Sequence, residues 1–474
     1  MRYLIFGTGD YYNRYKKWFA QQEIVALLDN SEKKQHTVMD GLNVLAPSEG
    51  IKLDYDIIVI LSFYVKQMKQ QLISLGVDEK KIYHFYDMHK LFGHTVPRIP
   101  LQYYLNAEEI VKSPKHKSTK ILLMSDDLTL GGPSIALLHA AAVLKRQGYM
   151  VVYASMWDGA LKEKLIELNI PVIVDENLPI LTMRQTEWVN TFSLVICNTL
   201  NFHVFLSERD IAIPIIWWLH DARFFYDGVS RHIMKQIRFE NLKAVSVGPV
   251  PQMAVREFLP DLECEELLYG VDDAGSENVA KSCSNTVRFI TIGFLEDRKG
   301  QDILVQAVKL LHRDLRHRCV FYIVGHGETL FGEKIRNESA GVHEIIFTGS
   351  VSRKKIHELL AVSDVLICPS KQDPMPTVAA EAMMHSVPCI MSDAAGTASY
   401  ICDGKNGLVF RSGDTEQLAS KIAQCVQNME NTRHMGQEAR KLYEKYFSME
   451  VFEDNLLRIV EHVLGEHKIL QKSR

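Results

Sequence analysis

A wholly apolar run, Val365–Cys368, stops at Pro369-Ser370 and gives way to a short polar loop; a helix-like stretch and a second apolar run, Val387–Ile390, follow. Runs of four consecutive apolar residues suit strands that are covered on both faces. Strands that alternate with helices in this way imply a parallel sheet, because parallel neighbours need a long crossover. The stretch between the runs has helical spacing over Thr377–His385. Val378, Ala379, Ala382 and Met383 share one apolar face, while Thr377 and Glu381, four apart, share another. Pro376 suits the first turn of that helix, where its missing N–H would be unpaired anyway.

The same alternation extends over the chain. Tyr3–Phe6, Ile24–Leu28, Asp56–Leu61 and Lys81–Tyr86 read as strands of a small α/β unit, with helices at Asn13–Gln21 and Val65–Leu75. A basic stretch, VKSPKHKSTK (Val111–Lys120), reads as linker. Six further strands are expected between Ile121 and about residue 247, and six more from Val287 to Phe410. The tail from Ser448 to about Glu466 reads as one amphipathic helix. The expected organisation is a Rossmann-like domain over 1–92, a linker over 93–118, two α/β domains over 119–285 and 286–447, and a C-terminal helix over 448–474 that packs back toward the middle domain.

Composition narrows the function classes. With 474 residues, 47% hydrophobic and 24% charged, the chain has the make-up of a globular protein with several cores. A net charge of −4 argues against binding to nucleic acid through bulk electrostatics. No apolar run reaches the length of a membrane span, and the four apolar residues before Gly7 are too few for a signal peptide. Eight scattered cysteines without a C-x-x-C pair fit a reduced, cytoplasmic compartment and suggest neither zinc nor a disulfide frame.

The chemistry concentrates around the helix that starts near Thr377. A helix N-terminus at a sheet edge attracts anions. Here Asp373 precedes it and Glu381 lies inside it, which suits a phosphate-bearing ligand with hydroxyls on both sides, such as a sugar nucleotide. Spacing alone does not single out this pair. Among 58 acidic residues, about seven pairs at this separation arise by chance. The context does: Asp373, seven residues, Glu381, and then Val387-Pro388-Cys389-Ile390 resemble the signature of retaining GT-B glycosyltransferases of family four (glycosyl transferases group 1). That resemblance covers roughly 119–470. It implies an α/β fold with two facing Rossmann-like domains, a nucleotide-diphosphate sugar as donor, retention of anomeric configuration, and no metal or other cofactor. In this pattern Asp373 orients the sugar, Glu381 binds the ribose, and Thr377, Met375 and Pro376 line the donor site. The family more often has Glu where this chain has Asp373.

Other motifs fit the same resemblance. Arg298 and Lys299 precede Gly300 where a strand meets a helix; two cations there can hold a diphosphate and stabilise the charge on it as it leaves. Many family members have Arg directly after the glycine equivalent to Gly293, whereas this chain has Phe294. Gly325, in Val324–Glu328, either lets backbone approach the nucleotide or merely turns the chain. Gly131-Gly132 before a long helix resembles the family's glycine loop, which makes Gly132 a donor contact. His220 ends an apolar strand at the place of the family's sugar- or acceptor-contacting histidine. Arg353, Lys354 and Lys355 read as a solvated face. Ser230–Lys243 reads as a helix packed on the core with a basic outer face, or as a membrane-surface helix for a lipid-linked acceptor.

The N-terminal FGTGDYY begins like a dinucleotide fingerprint, with Asp29 about twenty residues on. Tyr12 stands at the third glycine position, where its bulk opposes close helix–strand packing. This unit resembles Rossmann-like accessory domains of sugar-modifying enzymes rather than a working NAD site. The combined expectation is a glycosyltransferase (hexosyl or N-acetylhexosaminyl) acting on a glycan, lipid-linked or protein acceptor in bacterial surface-polysaccharide assembly, cytoplasmic or peripheral at the inner membrane face. A catalytically inactive GT-B subunit that stabilises another transferase, a nicotinamide-dependent sugar-modifying enzyme and a sugar-nucleotide epimerase are the rival readings.

Overall fold

Uninterrupted apolar runs bury their whole length, as in Ile215–Leu219 and Val365–Cys368. In the computed structural model, which describes residues 1–92, 98–113, 119–274 and 286–472, such runs assemble into three sheets. The first has six strands in the order Val38–Met39, Leu42–Leu45, Glu23–Leu28, Arg2–Phe6, Ile57–Ile60, Ile82–His84. Only the short pair Val38–Met39 and Leu42–Leu45 is antiparallel. Strand order reverses at Arg2–Phe6, so a crevice opens beyond its C-terminal end, flanked by the strands on either side.

The second sheet has eight strands: Cys264–Glu266, Leu242–Ser246, Ile215–Leu219, Leu194–Asn198, Lys120–Asp127, Met150–Trp157, Val172–Val174 and Gln102–Tyr104. The third has six, all parallel, in the order Ile345–Gly349, Cys319–Val324, Val287–Ile292, Val365–Cys368, Cys389–Ser392, Leu408–Phe410. Its helix Gln301–Leu310 is too short to persist alone in water. Burial of Ile303, Leu304, Val305 and Val308 against the sheet fixes it, at about 1.5–3 kcal/mol for each side chain.

The chain divides into two compact units. One comprises Met1–Trp217, Arg223–Lys243 and Val255–Leu262; the other comprises Trp218–Ala222, Ala244–Ala254 and Glu263–Arg474. Within the first, the N-terminal sheet's helices are tied to the eight-stranded sheet by Arg14 with Asp127 at 3.1 Å and Lys17 with Glu176 at 2.6 Å. Within the second, the long helix Met449–Lys472 lays Phe452 on Trp218, with ring centroids 5.8 Å apart.

Three sequence expectations need correction. The stretch 93–118 is not simply a linker: Gln102–Tyr104 adds an antiparallel strand to Val172–Val174, and Ala107–Lys112 is a helix burying Ala107, Ile110 and Val111. Lys120, assigned to the basic linker, is buried, and its Nζ donates to the carbonyls of Ile110 and Ser113 at 2.9 and 2.8 Å. A lysine used to satisfy a helix C-terminus carries the same letter as a solvated one. Residues 93–97 and 114–118 of that linker, and the expected domain boundary at 285, lie outside the described residues. Ser230–Lys243 is helical only over Arg231–Met234. Ile233, Met234 and Ile237 are buried, and Asn241, with φ of 54°, turns the chain into the strand Leu242–Ser246. The N-terminal helix is Asp10–Tyr15, continued as a 3-10 turn over Lys16–Phe19 rather than a single helix to Gln21.

No helix among the described residues is long and apolar enough to cross a membrane. None of the described cysteines forms a disulfide.

Candidate functional site

Gly300 organises the site in the second unit. Its φ of +68° is left-handed, and a Cβ there would lie 2.0 Å from the carbonyl oxygen of Pro369. Only glycine permits both the turn and the approach. The loop before it is thereby laid along the end of the strand Val365–Cys368. The carbonyl of Arg298 accepts the amides of Lys371 and Gln372 at 2.8 and 3.3 Å. Lys299, next to the glycine, then reaches across to donate from Nζ to Asp373 Oδ2 at 2.6 Å.

Asp373 is held by its own backbone as well. Its amide donates to Ala394 and its carbonyl accepts from Gly396, at 3.3 and 2.9 Å. Its side chain is 7% exposed and that of Lys299 is 20%. A carboxylate buried to this extent would be costly without a partner, and Lys299 supplies one. Arg298 turns the other way: one arm of its guanidinium contacts Glu296 at 2.5 Å and the other donates to the carbonyl of Gln372 at 3.1 Å. Phe294 is 65% exposed. The loop backbone beneath it is pinned where its carbonyl accepts Gln301 Nε2 at 2.8 Å.

The helix carrying Glu381 runs over Thr377–Met384, so His385 caps it. Pro376 is the N-cap residue rather than part of the first turn, and no side chain caps this end. Proline has no side-chain acceptor to offer, which leaves the helix start open to an external acceptor. Met375 is buried, with Thr397 Oγ1 donating to its sulfur at 3.1 Å.

Glu381 is 1% exposed. Its Oε1 accepts from Arg353 Nη2 at 2.6 Å, while Oε2 is buried without a hydrogen-bond partner. The expectation that Arg353 lies on a solvated face is therefore incomplete: its side chain is 61% exposed, but its guanidinium tip reaches a buried acid. Tyr269 is a further member that sequence reasoning missed. Its hydroxyl is buried and unpartnered, and burial, with the charges of Glu381 and Asp373 added, pushes its ionisation well above the ordinary tyrosine range. The sequence marked only its surroundings, LYGVDD (Leu268–Asp273), which resembles the family's turn into the interdomain linker and lies far along the chain from both acids.

His220 is also in this unit, 7% exposed and packed on Trp218 at 4.8 Å. Burial drops its pKa to about 3, so it is neutral at physiological pH, and its Nε2 has no partner. Gly325 has a structural explanation of its own: a Cβ would sit 1.9 Å from the carbonyl oxygen of Gly293. Gly132 belongs to the first unit, as the first residue of the helix Gly132–Arg146. Asp127 fastens its loop, accepting Thr129 N–H and Oγ1 at 3.1 and 2.7 Å and Ser134 Oγ at 3.2 Å.

Comparison with known proteins agrees with this architecture. Residues 278–442 match the family described as Glycosyl transferases group 1, residues 117–246 match Glycosyl-transferase family 4, and residues 1–83 match C2185-like, N-terminal. Spore coat protein SA of Bacillus subtilis (strain 168) is 28% identical over 181 residues, 36% of this chain and 47% of that protein. Alpha-D-kanosaminyltransferase of Streptomyces kanamyceticus is 22% identical over 286 residues, 55% of this chain and 74% of that protein. The chain spans about half the length of the first curated relatives it matches, between 37% and 63%. The crystal structure of Anabaena Alr3699/HepE in complex with UDP and glucose superposes with a TM-score of 0.61 at 18% identity, covering 73% of this chain and 100% of that one. Two glycosyltransferase-family matches side by side in sequence, together with parallel sheets shared with GT-B structures, show that this chain has the GT-B fold and that its residues 278–442 form a domain of the glycosyl transferases group 1 family.

Proposed function

We propose that the chain transfers a sugar from a nucleotide-diphosphate donor to a glycan, lipid-linked or protein acceptor, with retention of configuration and without a metal, in the assembly of a cell-surface glycan. The observation that carries this reading is the grouping of Lys299, Asp373 and Glu381 around a helix start with no side-chain cap. When the bond from the anomeric carbon to the diphosphate breaks, negative charge collects on the leaving phosphate. Lys299 and the amides at Thr377 would meet that charge, in the place a metal ion would otherwise take, while Arg298, paired with Glu296 and the carbonyl of Gln372, would hold the loop that carries Lys299. Asp373 would accept hydroxyls of the sugar and orient the anomeric carbon. Glu381 Oε2 is a buried acceptor awaiting a donor, and ribose hydroxyls would supply it. His220, neutral and buried, would offer a hydrogen-bonding edge to sugar or acceptor without adding charge.

A thermal-shift panel of UDP-, GDP- and dTDP-sugars tests the reading, since a ligand that binds only the native state raises its melting temperature. The HepE structure, which contains UDP and glucose, makes UDP-glucose the first compound to try. Exposed Phe294, standing where relatives have Arg, favours one second reading: an inactive subunit that stabilises a separate transferase. In that case the purified chain neither hydrolyses nor transfers from any donor that shifts its melting.

A further inference from the structure

The crevice at the C-terminal end of the first sheet is a cavity of about 530 Å³, within the span of about 300–1,000 Å³ usual for small-ligand sites. It lies where strand order reverses, bordered by Gly7–Tyr11, Asp29-Asn30 and the segment from Leu61 to Gln71. The lining has two distinct chemistries. Tyr11, Phe63 and Tyr64 form an aromatic wall, with Phe63 and Tyr64 44% and 53% exposed. Opposite in character are Asp10, Asp29, Asn30, Gln67 and Gln71, which offer carboxylate and amide groups.

Among the described residues no lysine or arginine lines this cavity; the nearby cation Lys34 is engaged by Thr8 Oγ1 and Asp29 Oδ2 at 3.2 and 3.4 Å. The helix beside it is six residues long and already has Asp10 in its first turn, which opposes an anion there. Tyr12, at the third glycine position of the fingerprint, is buried with its hydroxyl on Asp40 at 3.0 Å. The phosphate-binding half of a dinucleotide site is thus missing.

The hydroxyl-binding half is kept. Asp29 Oδ2 accepts the amide and hydroxyl of Thr8, and Oδ1 accepts the amide of Ser31 at 2.8 Å. A carboxylate has about four lone-pair positions, so Oδ1 retains capacity for a ligand hydroxyl. Burial raises its pKa, but bonds from Thr8 and Ser31 and the charge of Lys34 outweigh this and hold Asp29 below the usual carboxylate range. Asn30 and Gln71 exchange amide hydrogen bonds at 3.0 and 2.9 Å, presenting a preformed polar edge.

We propose that this crevice is a second ligand site, independent of the transferase site, for a neutral polyhydroxylated ring whose hydroxyls donate to Asp29 and the amides while its apolar face lies on the aromatic wall. A phosphate-free nucleoside and a pyranoside share that chemistry. Hydrogen exchange of the full chain with adenosine, methyl α-glucopyranoside and NADH distinguishes them. Adenosine or the glucoside is expected to slow exchange in 6–11, 29–30 and 62–71, and whichever does so identifies the source. NADH, which carries the same adenosine on a pyrophosphate, is expected to bind at least about tenfold more weakly than adenosine. Tyr64→Ala, a change at an exposed side chain, should weaken the protecting ligand by about tenfold. Protection by neither neutral probe, tighter binding of NADH, or undiminished binding by Tyr64→Ala would overturn the proposal.

Discussion

The two oxygens of Glu381 are in different circumstances: one is held by Arg353 and the other is buried and unpartnered. If Oε2 is the ribose acceptor, Glu381→Ala lowers donor affinity more than about tenfold, read by calorimetric titration. Asp373→Ala instead lowers turnover at saturating donor. Lys299→Ala removes a cation from the leaving phosphate and should cost about 10²-fold in turnover, with a smaller change in donor affinity. Arg353→Ala should lower stability by about 1–3 kcal/mol, because it leaves the buried carboxylate of Glu381 without its ion-pair partner; denaturant midpoints will check this. The acids were legible because they sit on one helix and its leading loop, at a fixed spacing. Arg353 and Tyr269 were not, since their relation to Glu381 exists only after distant segments have folded together.

Among elements, the strand–loop–helix units of the third sheet were the most readable, because each buried strand is a short unbroken apolar run between turn residues. Failures came where tertiary contacts override local pattern. The three-residue strand Gln102–Tyr104 is only half-buried and has no run to recognise, and the four-residue helix at Arg231–Met234 borrowed an amphipathic pattern from a longer stretch. The loop that delivers Lys299 depends on Gly300, whose backbone is left-handed and pressed on Pro369. Gly300→Ala should cost at least about 2 kcal/mol in chemical denaturation and lower turnover as well. Gly404→Ala is the control: its φ is +81° but a Cβ would meet nothing within 4 Å. That change should cost about 1 kcal/mol of backbone strain and leave turnover alone. Equal losses in the two variants would mean that the contact with Pro369 is immaterial.

For the whole chain, three largely parallel sheets could be anticipated from alternation, and the family from the Asp373–Glu381 segment. The chemistry of the N-terminal crevice could not, because residues from three separate segments line it. Each compact unit contains a strongly buried histidine: His203, with its pKa lowered to about 4 by burial, and His220, lowered to about 3. Both fall below the unfolded value of about 6.5. Between those limits the unfolded chain binds protons that the folded one refuses, so stability rises with pH. Their contribution is complete above about pH 6.5 and erodes as pH falls through the window. The depressed carboxyls of Asp29 and Glu344 act only near and below their ordinary values of 3.8 and 4.5. Melting temperature should therefore decline already between about pH 6.5 and 5, and His220→Asn should flatten that slope.

Donor recognition through Glu381 is the claim on which the transferase reading depends. Its most direct test is calorimetric titration of the purified chain and of Glu381→Gln with UDP-, GDP- and dTDP-sugars. The expected result is saturable one-site binding of at least one donor, weakened more than about tenfold in the variant. Absence of binding across the panel, or equal affinity in a folded Glu381→Gln chain, would contradict it.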